Sequence, residues 1–174
     1  GYLLKRKGID LIIKAMSTVV KTNKNFRLHI LGDGPQKEYL IKLVKQLDME
    51  KYIIFHGFIP QSEINEYYKN MSIFVNMSKA EGFATVCLEA MASGLAIISS
   101  RVGGFSDAIK DGENGFLVDQ SDYLSLARKI NTLLINKQKI SIIGNRARED
   151  AQKYYDWESV IIPEYNKLYK TLTN

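Results

Sequence analysis

The strongest constraint on the fold is the alternation of short apolar runs with longer segments of helical periodicity. Runs rich in Ile, Val, Leu or Phe are typical of strands buried on both faces, and they occupy residues 26–31, 52–55, 73–75, 95–99 and 116–118. Helical spacing of apolar residues is found at 9–22, 36–48, 61–69, 84–93, 104–110, 121–135, 138–153 and 157–172. Strands that alternate with helices predict βαβ units. We therefore predict a three-layer α/β/α domain around a mainly parallel sheet.

Size and composition agree with one globular domain. The chain has 174 residues, of which 45% are apolar and 25% charged. No run reaches the roughly 18 apolar residues of a membrane-spanning helix. Residues 1–4 read as the end of a strand, so we expect the sequence to begin at a domain boundary. Cys87 is the single cysteine, which excludes an internal disulfide and favours a reducing, intracellular location.

The net charge of +5 leaves several classes of partner open. An anionic ligand, an acidic lipid surface and a nucleic acid would each suit a basic protein. The lysines are scattered, however, and no compact basic run is interleaved with aromatic residues as in a nucleic-acid-binding protein. We therefore expect no nucleic-acid partner.

Glycines and polar residues collect where the predicted strands end. Gly32–Pro35 follows the first strand, Gly57 the second, Ser78–Gly82 the third, and Gly103–Gly104 the fourth. Right-handed crossovers bring the carboxyl ends of parallel strands to one edge of the sheet, where ligands bind in such folds. The sequence therefore predicts a binding site at this edge.

Two glutamates eight positions apart, Glu81 and Glu89, flank the start of a predicted helix near Ala84. An ionised carboxylate accepts paired hydrogen bonds from vicinal hydroxyls such as those of ribose or a sugar ring. The free N–H groups and the dipole of a helix start favour phosphate. A site that binds a phosphate between two diol-binding carboxylates would suit a nucleotide sugar. The alternative is that Glu81 caps the helix and Glu89 is a surface residue, and the spacing alone leaves both interpretations open.

Other catalytic signatures are missing from the sequence. Lys37 stands where a dinucleotide-binding fingerprint beginning at Gly32 needs its third glycine, and there is no Gly-Lys-Ser/Thr phosphate loop. We expect His29, His56 and Cys87 to be packing residues. No Asp-x-Asp pair is present to hold a divalent ion, so we expect a site without a metal.

The segment Glu81–Glu89, with its continuation Glu-Ala-Met-Ala-x-Gly to Gly94, resembles the Glu-x7-Glu motif of retaining glycosyltransferases of family 4. Further motifs follow in family order and at family spacing along the whole chain: Lys7–Asp10, Gly32–Pro35, Phe55–Phe58, Gly103–Gly104, Asn114–Gly115 and Tyr154–Trp157. The resemblance implies the C-terminal, Rossmann-like domain of a GT-B enzyme. Residues 1–174 would then form a single donor domain, with the N-terminal acceptor domain absent from this chain.

The resemblance also assigns roles to residues. Glu89 would hold the ribose hydroxyls, Glu81 the donor sugar, and Lys7 the diphosphate as negative charge develops on it. Lys7 and Glu81 are thus the expected catalytic residues. The expected substrate-binding residues are Gly32, Phe58, Ile59, Gly82, Phe83, Ala84, Thr85, Val86 and Glu89.

The activity implied by the resemblance is a retaining, hexosyltransferase-like transfer from a nucleoside diphosphate sugar, with a UDP-sugar favoured. No cofactor is expected. A saccharide or lipid-linked saccharide would be the acceptor, bound by the missing N-terminal domain, so the isolated chain should be inactive. The expected setting is polysaccharide biosynthesis in the cytoplasm, with peripheral membrane contact by the full-length enzyme at the inner face.

Two positions depart from the family pattern. Tyr2 stands where an arginine usually completes the diphosphate clamp, and Arg6 or Arg101 would have to replace it. Ala84 adds a methyl group where the family has a glycine close to the sugar. These departures favour the alternative of a non-catalytic nucleotide-sugar-binding module. A basic nucleic-acid-binding or membrane-surface protein is a second alternative, supported only by the net charge.

Overall fold

The computed structural model describes residues 1–82 and 85–172, in which strands and helices alternate as the sequence predicts. The strands are β1 (Leu28–Leu31), β2 (Ile53–Gly57), β3 (Ile73–Asn76), β4 (Ala96–Ser100) and β5 (Gly115–Val118). The helices are α1 (Ile9–Val19), α2 (Lys37–Gln46), α3 (Ile64–Lys69), α4 (Thr85–Ala92), α5 (Gly103–Ala108), α6 (Tyr123–Ile135), α7 (Lys137–Tyr155) and α8 (Ile162–Leu172). Short turns of 3₁₀ helix cover Lys5–Lys7 and Gln61–Glu63, and a π-helical turn covers Trp157–Ile161. Of the described helices, none is both long and apolar enough to span a bilayer.

The strands pair in parallel, as predicted, but their hydrogen bonds divide them into two groups. β1 pairs with β2, and β3, β4 and β5 form a three-stranded sheet with β4 in the centre. Helix α1 joins the two groups, because its buried side chains share one hydrophobic cluster with Ile30 of β1 and Ile98 of β4.

The three-stranded sheet is covered on both faces. Ala96 and Ile98 of β4 belong to the cluster that contains the buried residues of α1, α2 and α6. Ile97, between them, belongs to a second cluster with residues of α3, α4, α5 and α7. Because successive side chains of a strand point to opposite faces, this division establishes the three layers. Full burial of each such aliphatic side chain contributes about 1.5–3 kcal/mol.

Residues 1–4 do not form the strand end that their sequence predicts. The Leu3 N–H donates to the Asp33 carbonyl at 2.8 Å, and the Leu3 carbonyl accepts from the Gln36 N–H at 3.1 Å. These bonds attach the segment to the turn after β1, and that attachment replaces the regular ladder of a strand.

The two histidines pack within the fold, as expected, and they also form a pair that the sequence did not predict. His29 Nδ1 lies 2.9 Å from His56 Nε2, the rings stack with centroids 5.1 Å apart, and Tyr67 meets His56 edge-on. Burial, the neighbouring His56 and the charge of Arg27 together lower the pKa of His29. Cys87 is a packing residue as expected, and its burial raises the pKa of the thiol to about 12.

Candidate functional site

The loop after β3 holds Glu81 in a cluster of charged and polar side chains. Lys7 Nζ donates to Glu81 Oε1 at 2.5 Å, and Ser78 Oγ donates to the same oxygen at 2.8 Å. Arg6 Nη1 lies 3.9 Å from the other oxygen, Oε2. The Glu81 side chain is only 13% exposed. The two predicted catalytic residues therefore form a direct, largely buried ion pair.

The environment keeps the Glu81 carboxyl ionised. Its burial alone would raise the pKa, because a low-dielectric surrounding disfavours the charged form. Hydrogen bonds from Lys7 and Ser78, and the positive charges of Lys7 and Arg6, outweigh that effect and hold the pKa below its ordinary value. Glu81 is therefore a hydrogen-bond acceptor at neutral pH.

Two glycines allow the chain to approach this loop closely. Gly8, directly after the Lys5–Lys7 turn, has φ +65°, and a Cβ there would overlap the carbonyl oxygen of Met77 at the end of β3. Gly103, at the start of α5, has φ +34°, and a Cβ there would overlap the carbonyl oxygen of Glu81. Since any other residue would be strained at these φ values, glycine is needed to bring Lys7 and α5 against the loop.

Ser78 anchors the base of the loop. It is fully buried, its N–H donates to Asn76 Oδ1 at 2.7 Å, and its carbonyl accepts from Ser100 Oγ at 2.6 Å. From the sequence, Ser78 was identified only as part of the polar segment after the third strand. Its contact with Glu81 is a missed feature of the site.

Glu89, on α4, is held by uncharged donors. Gln61 Nε2 donates to Glu89 Oε1 at 2.9 Å, and the Tyr68 hydroxyl donates to Oε2 at 3.3 Å. Burial, followed by the charge of Glu89 and the hydrogen bond to it, raises the pKa of Tyr68. Glu89 is therefore more than an unattached surface residue. Neither Gln61 nor Tyr68 was singled out from the sequence.

The remaining predicted substrate-binding residues lie on several nearby segments. Phe58, 77% exposed, and the half-buried Ile59 are in the loop between β2 and Gln61, which contacts Glu89. The Gly32 N–H donates to the Gly57 carbonyl at 2.7 Å. Gly82 and Thr85 are exposed and Val86 is half-buried. Phe83 and Ala84 lie outside the described residues, so their roles stay predictions.

The structure places the two arginines that were expected to replace the clamp arginine, Arg6 and Arg101, near the Glu81 loop. Tyr2 is exposed. Arg6 reaches the Glu81 cluster and also donates to the Ala80 carbonyl at 3.3 Å. Arg101 lies 3.5 Å from Asp111. Both arginines line the same cleft.

This cleft opens beside Glu81 at the ends of β3, β4 and β5. Its volume is about 550 Å³, and it is lined by Arg6, Lys79, Ala80, Glu81, Gly82, Arg101, Val102, Gly103 and Gln120. Within the described part of the chain, no group of three or more His, Cys, Asp and Glu side chains could hold a metal ion. The described side chains of the site can recognise hydroxyls through carboxylates and anions through Lys and Arg.

Comparison with known proteins places the chain in a family. The family model of glycosyl transferases group 1 matches residues 1–150. Sulfoquinovosyl transferase SQD2 of Arabidopsis thaliana is 33% identical over 167 residues, which cover 94% of this chain and 32% of that protein. The chain thus spans about a third of the length of this relative, and less than half of others such as N-acetyl-alpha-D-glucosaminyl L-malate synthase of Bacillus anthracis.

Solved structures give the same result. A TarM variant of S. aureus in complex with Fondaparinux, alpha-GlcNAc-glycerol and UDP has a TM-score of 0.88 at 27% identity, over 95% of this chain and 34% of that one. The C-terminal domain of the glycosyl transferase group 1 family protein LpcC from Francisella tularensis has a TM-score of 0.83 at 30% identity, over 90% of this chain and 83% of that one. These likenesses confirm the predicted Rossmann-like α/β/α architecture of a GT-B half. The chain belongs to the glycosyl transferases group 1 family.

Proposed function

We propose that this chain is the donor domain of a retaining glycosyltransferase and binds a nucleoside diphosphate sugar. The observation that carries the proposal is the contrast between two carboxylates. Glu81 is paired with Lys7, whereas Glu89 is held by neutral donors. The two carboxylates can therefore accept hydrogen bonds from two separate sets of hydroxyls. The Lys7 ammonium lies beside the first carboxylate, Glu81.

Glu89 is suited to the ribose diol. A carboxylate has about four acceptor positions, and the Gln61 and Tyr68 contacts use one on each oxygen. Both donors are neutral, so the Glu89 carboxylate can also form charge-assisted hydrogen bonds with ribose hydroxyls. Phe58, exposed in the loop that leads to Gln61, would lie beside the base.

Lys7 and Glu81 are suited to the diphosphate and the transferred sugar. The Lys7 ammonium has three N–H donors, and the hydrogen bond to Glu81 Oε1 uses one of them. The others would meet the diphosphate and stabilise the charge that develops as it leaves. Both hydrogen bonds to Glu81 described above fall on Oε1, so Oε2 would accept from a sugar hydroxyl.

In the proposed reaction, the bond between the anomeric carbon and the diphosphate oxygen breaks. The acceptor oxygen bonds to the same face of that carbon, which retains its configuration. The acceptor's hydroxyl proton passes to the departing diphosphate. Lys7 stabilises that diphosphate, and Glu81 orients the sugar. Hexosyl transfer from a UDP-sugar is the favoured case, in keeping with the UDP present in the TarM complex.

The acceptor, a saccharide or lipid-linked saccharide, would bind to an N-terminal domain outside this chain. The likeness to a C-terminal domain of the family, over 83% of that domain, supports this arrangement. The isolated chain should therefore bind nucleotide without turnover. We propose a cytoplasmic enzyme in polysaccharide biosynthesis, with any membrane contact made by the other half.

Calorimetric titration of the chain with UDP, GDP and ADP tests the proposal. One nucleotide should bind selectively, and Glu89→Ala should weaken it roughly ten- to a hundredfold, because hydrogen bonds to a charged group are lost. Glu38→Ala, an exposed site on α2 with the same charge change, is the control. Absence of binding by all three nucleotides, or equal effects of both variants, would contradict the proposal.

A non-catalytic nucleotide-sugar-binding module is the second candidate, favoured by Tyr2 at the position of the usual clamp arginine. Assaying transfer by the chain joined to an N-terminal half separates the two. Turnover by the joined protein would exclude the module. Tight nucleotide binding without transfer to any saccharide acceptor would favour it.

A further inference from the structure

His56 lies at an irregularity in the pairing of β1 with β2. The register shifts beside it, so that His56 has no opposite residue in β1, whereas Phe55 and Gly57 before and after it are paired. Such an extra residue is a β-bulge, which changes the direction of a side chain and bends the strand. At this bulge His56 Nε2 lies 2.9 Å from His29 Nδ1. The bond between the two rings therefore joins the strands where their regular pairing is interrupted.

His56 is connected to both of the groups that hold Glu89. Along the chain, four residues separate it from Gln61, whose Nε2 donates to Glu89 Oε1. Through space, the ring of Tyr67 meets the His56 ring edge-on, with centroids 5.1 Å apart. Tyr67 is the α3 residue before Tyr68, whose hydroxyl donates to Glu89 Oε2. A displacement of His56 would therefore move both donors.

The bond between the two rings depends on their protonation. In the neutral pair, one ring donates an N–H and the other accepts it on a nitrogen that carries no proton. Uptake of one proton by the pair leaves this bond in place, because the donor ring can carry the charge. Uptake of a second proton removes the acceptor and brings two positive rings together. The bond is therefore lost only when both rings are charged.

The groups around the pair disfavour the second charge. Burial, His56 and the charge of Arg27 lower the pKa of His29. Beside the end of β2, the charges of Asp33 and Lys37 compensate each other in an ion pair. Across residues 1–82 and 85–172, no carboxylate bonds to either ring. The second proton should therefore bind at a pH below the ordinary histidine value of 6.5.

We infer that the His29–His56 pair positions Glu89 for ribose binding and releases it when both rings are charged. This inference rests on the proposed function of Glu89. With the bond intact, β2 and α3 hold Gln61 and Tyr68 against the carboxylate. With both rings charged, repulsion separates the end of β2 from β1, and the two donors move away from Glu89. The histidines are positioning residues, and nucleotide affinity should fall as they become charged.

UDP titrations at pH 7.5 and 5.0 test the inference in the unsubstituted chain and in two variants of His29. His29→Asn places an amide near the position of Nδ1, and an amide can donate to a neutral His56 or accept from a charged one. His29→Leu removes the partner of His56. UDP itself gains a proton at about pH 6. Affinities are therefore compared between protein forms at the same pH, which cancels the titration of the ligand.

The affinity of the unsubstituted chain relative to His29→Asn should fall about three- to tenfold between pH 7.5 and 5.0, the effect of losing one hydrogen bond. At pH 7.5, His29→Leu should bind UDP weaker than His29→Asn by a similar factor. Circular dichroism at both pH values shows whether each form is folded. A ratio of unsubstituted chain to His29→Asn that does not change with pH would overturn the inference, even where His29→Leu fails to fold.

Removal of a neighbouring charge should move the pH at which affinity is lost. Arg27→Gln should raise the midpoint, because the charge of Arg27 opposes protonation of His29. Arg146→Gln, at an exposed site on α7, carries the same charge change and should leave the midpoint in place. Equal midpoints in the two variants would contradict the assignment to His29.

The backbone amide NMR signals of Gln61 and Tyr68, followed without nucleotide, separate this inference from the proposed function. They should shift with the same pH midpoint as the ring signals of His29. Signals that follow the ring, in a chain that fails to bind UDP at pH 7.5, would contradict the donor-domain function and leave the coupling established. Signals that do not follow the protonation of His29 would overturn the coupling, whatever the affinity for UDP.

Discussion

The two carboxylates of the candidate site are stabilised in opposite ways. Glu81 is largely buried and lies against Lys7, with Arg6 nearby, so its charge is balanced within the protein. Glu89 is half-buried and receives hydrogen bonds only from the neutral groups Gln61 and Tyr68, among the contacts described. Removing Glu81 should therefore disturb folding, whereas removing Glu89 should mainly disturb ligand binding.

The largest expected effect comes from separating the Lys7 turn from the Glu81 loop. Gly8→Ala should lower the free energy of unfolding by about 3 kcal/mol or more, because strain at positive φ adds to overlap with the Met77 carbonyl. Gly112→Ala is the matched control, with φ +84° and no described atom within 4 Å of the added carbon. It should cost only about 1–2 kcal/mol. Urea denaturation measures both free energies of unfolding. Equal decreases for the two variants would contradict the close approach of Gly8 to Met77.

The second effect compares the carboxylates directly. Glu81→Gln should lower the free energy of unfolding by about 2 kcal/mol, because it leaves Lys7 in a partly buried position without its counterion. Glu89→Gln should cost about 1 kcal/mol or less, because its partners are neutral. Chemical denaturation of both variants measures the difference. If Glu89→Gln lowered the free energy of unfolding as much as Glu81→Gln, the two carboxylates would not differ in their contribution to folding.

A third, smaller effect concerns the positioning of Glu89. Tyr68→Phe removes the hydroxyl that holds Glu89 Oε2, so nucleotide affinity should fall about three- to tenfold. Titration calorimetry measures this change. Tyr39→Phe, at an exposed site on α2, should leave the affinity unchanged. Unaltered binding by Tyr68→Phe would show that Glu89 is positioned without it.

The smallest expected effect is the pH dependence of stability, to which His29 and Glu81 should contribute in different pH ranges. The pKa of His29 lies below its ordinary value of 6.5, so the unfolded chain binds more protons than the folded one as the pH falls through that value. Stability should therefore decrease between pH 7.5 and 5.5, and His29→Gln should remove much of this decrease. The pKa of Glu81 also lies below its ordinary value of 4.5, so its contribution is present above pH 4.5 and is lost only at lower pH.

Thermal unfolding at pH 7.5, 6.5 and 5.5 measures this pattern. Glu81 remains ionised over the same range, so its own contribution to nucleotide binding should stay constant. A stability that is flat from pH 7.5 to 5.5 would contradict the assignment to His29.

The sequence predicted the layers of the fold because the relevant signals are local. The run at residues 95–99 is apolar at every position but the last, as expected of the central strand β4, whose residues are all buried. Element ends differ from the predictions by a few residues, and the prediction failed at residues 1–4, where hydrogen bonds to Asp33 and Gln36 decide the conformation.

The site was predicted in part. Glu81, Glu89 and Lys7 were identified because they belong to a recognisable motif pattern. Gln61, Tyr68 and Ser78 were missed because their importance depends on tertiary contacts, such as the 28-residue separation between Gln61 and Glu89. The His29–His56 pair was missed for the same reason, since only the parallel pairing of β1 with β2 brings the two rings together.

The central claim, that Glu89 binds a ribose diol, is tested most directly by a thermodynamic cycle. UDP and 2′,3′-dideoxyuridine diphosphate are titrated into the unsubstituted chain and into Glu89→Gln. We expect Glu89→Gln to weaken UDP binding about tenfold or more and to leave binding of the dideoxy analogue nearly unaffected, because the analogue lacks the hydroxyls that donate to Glu89. Equal weakening of both ligands would show that Glu89 does not bind the ribose hydroxyls.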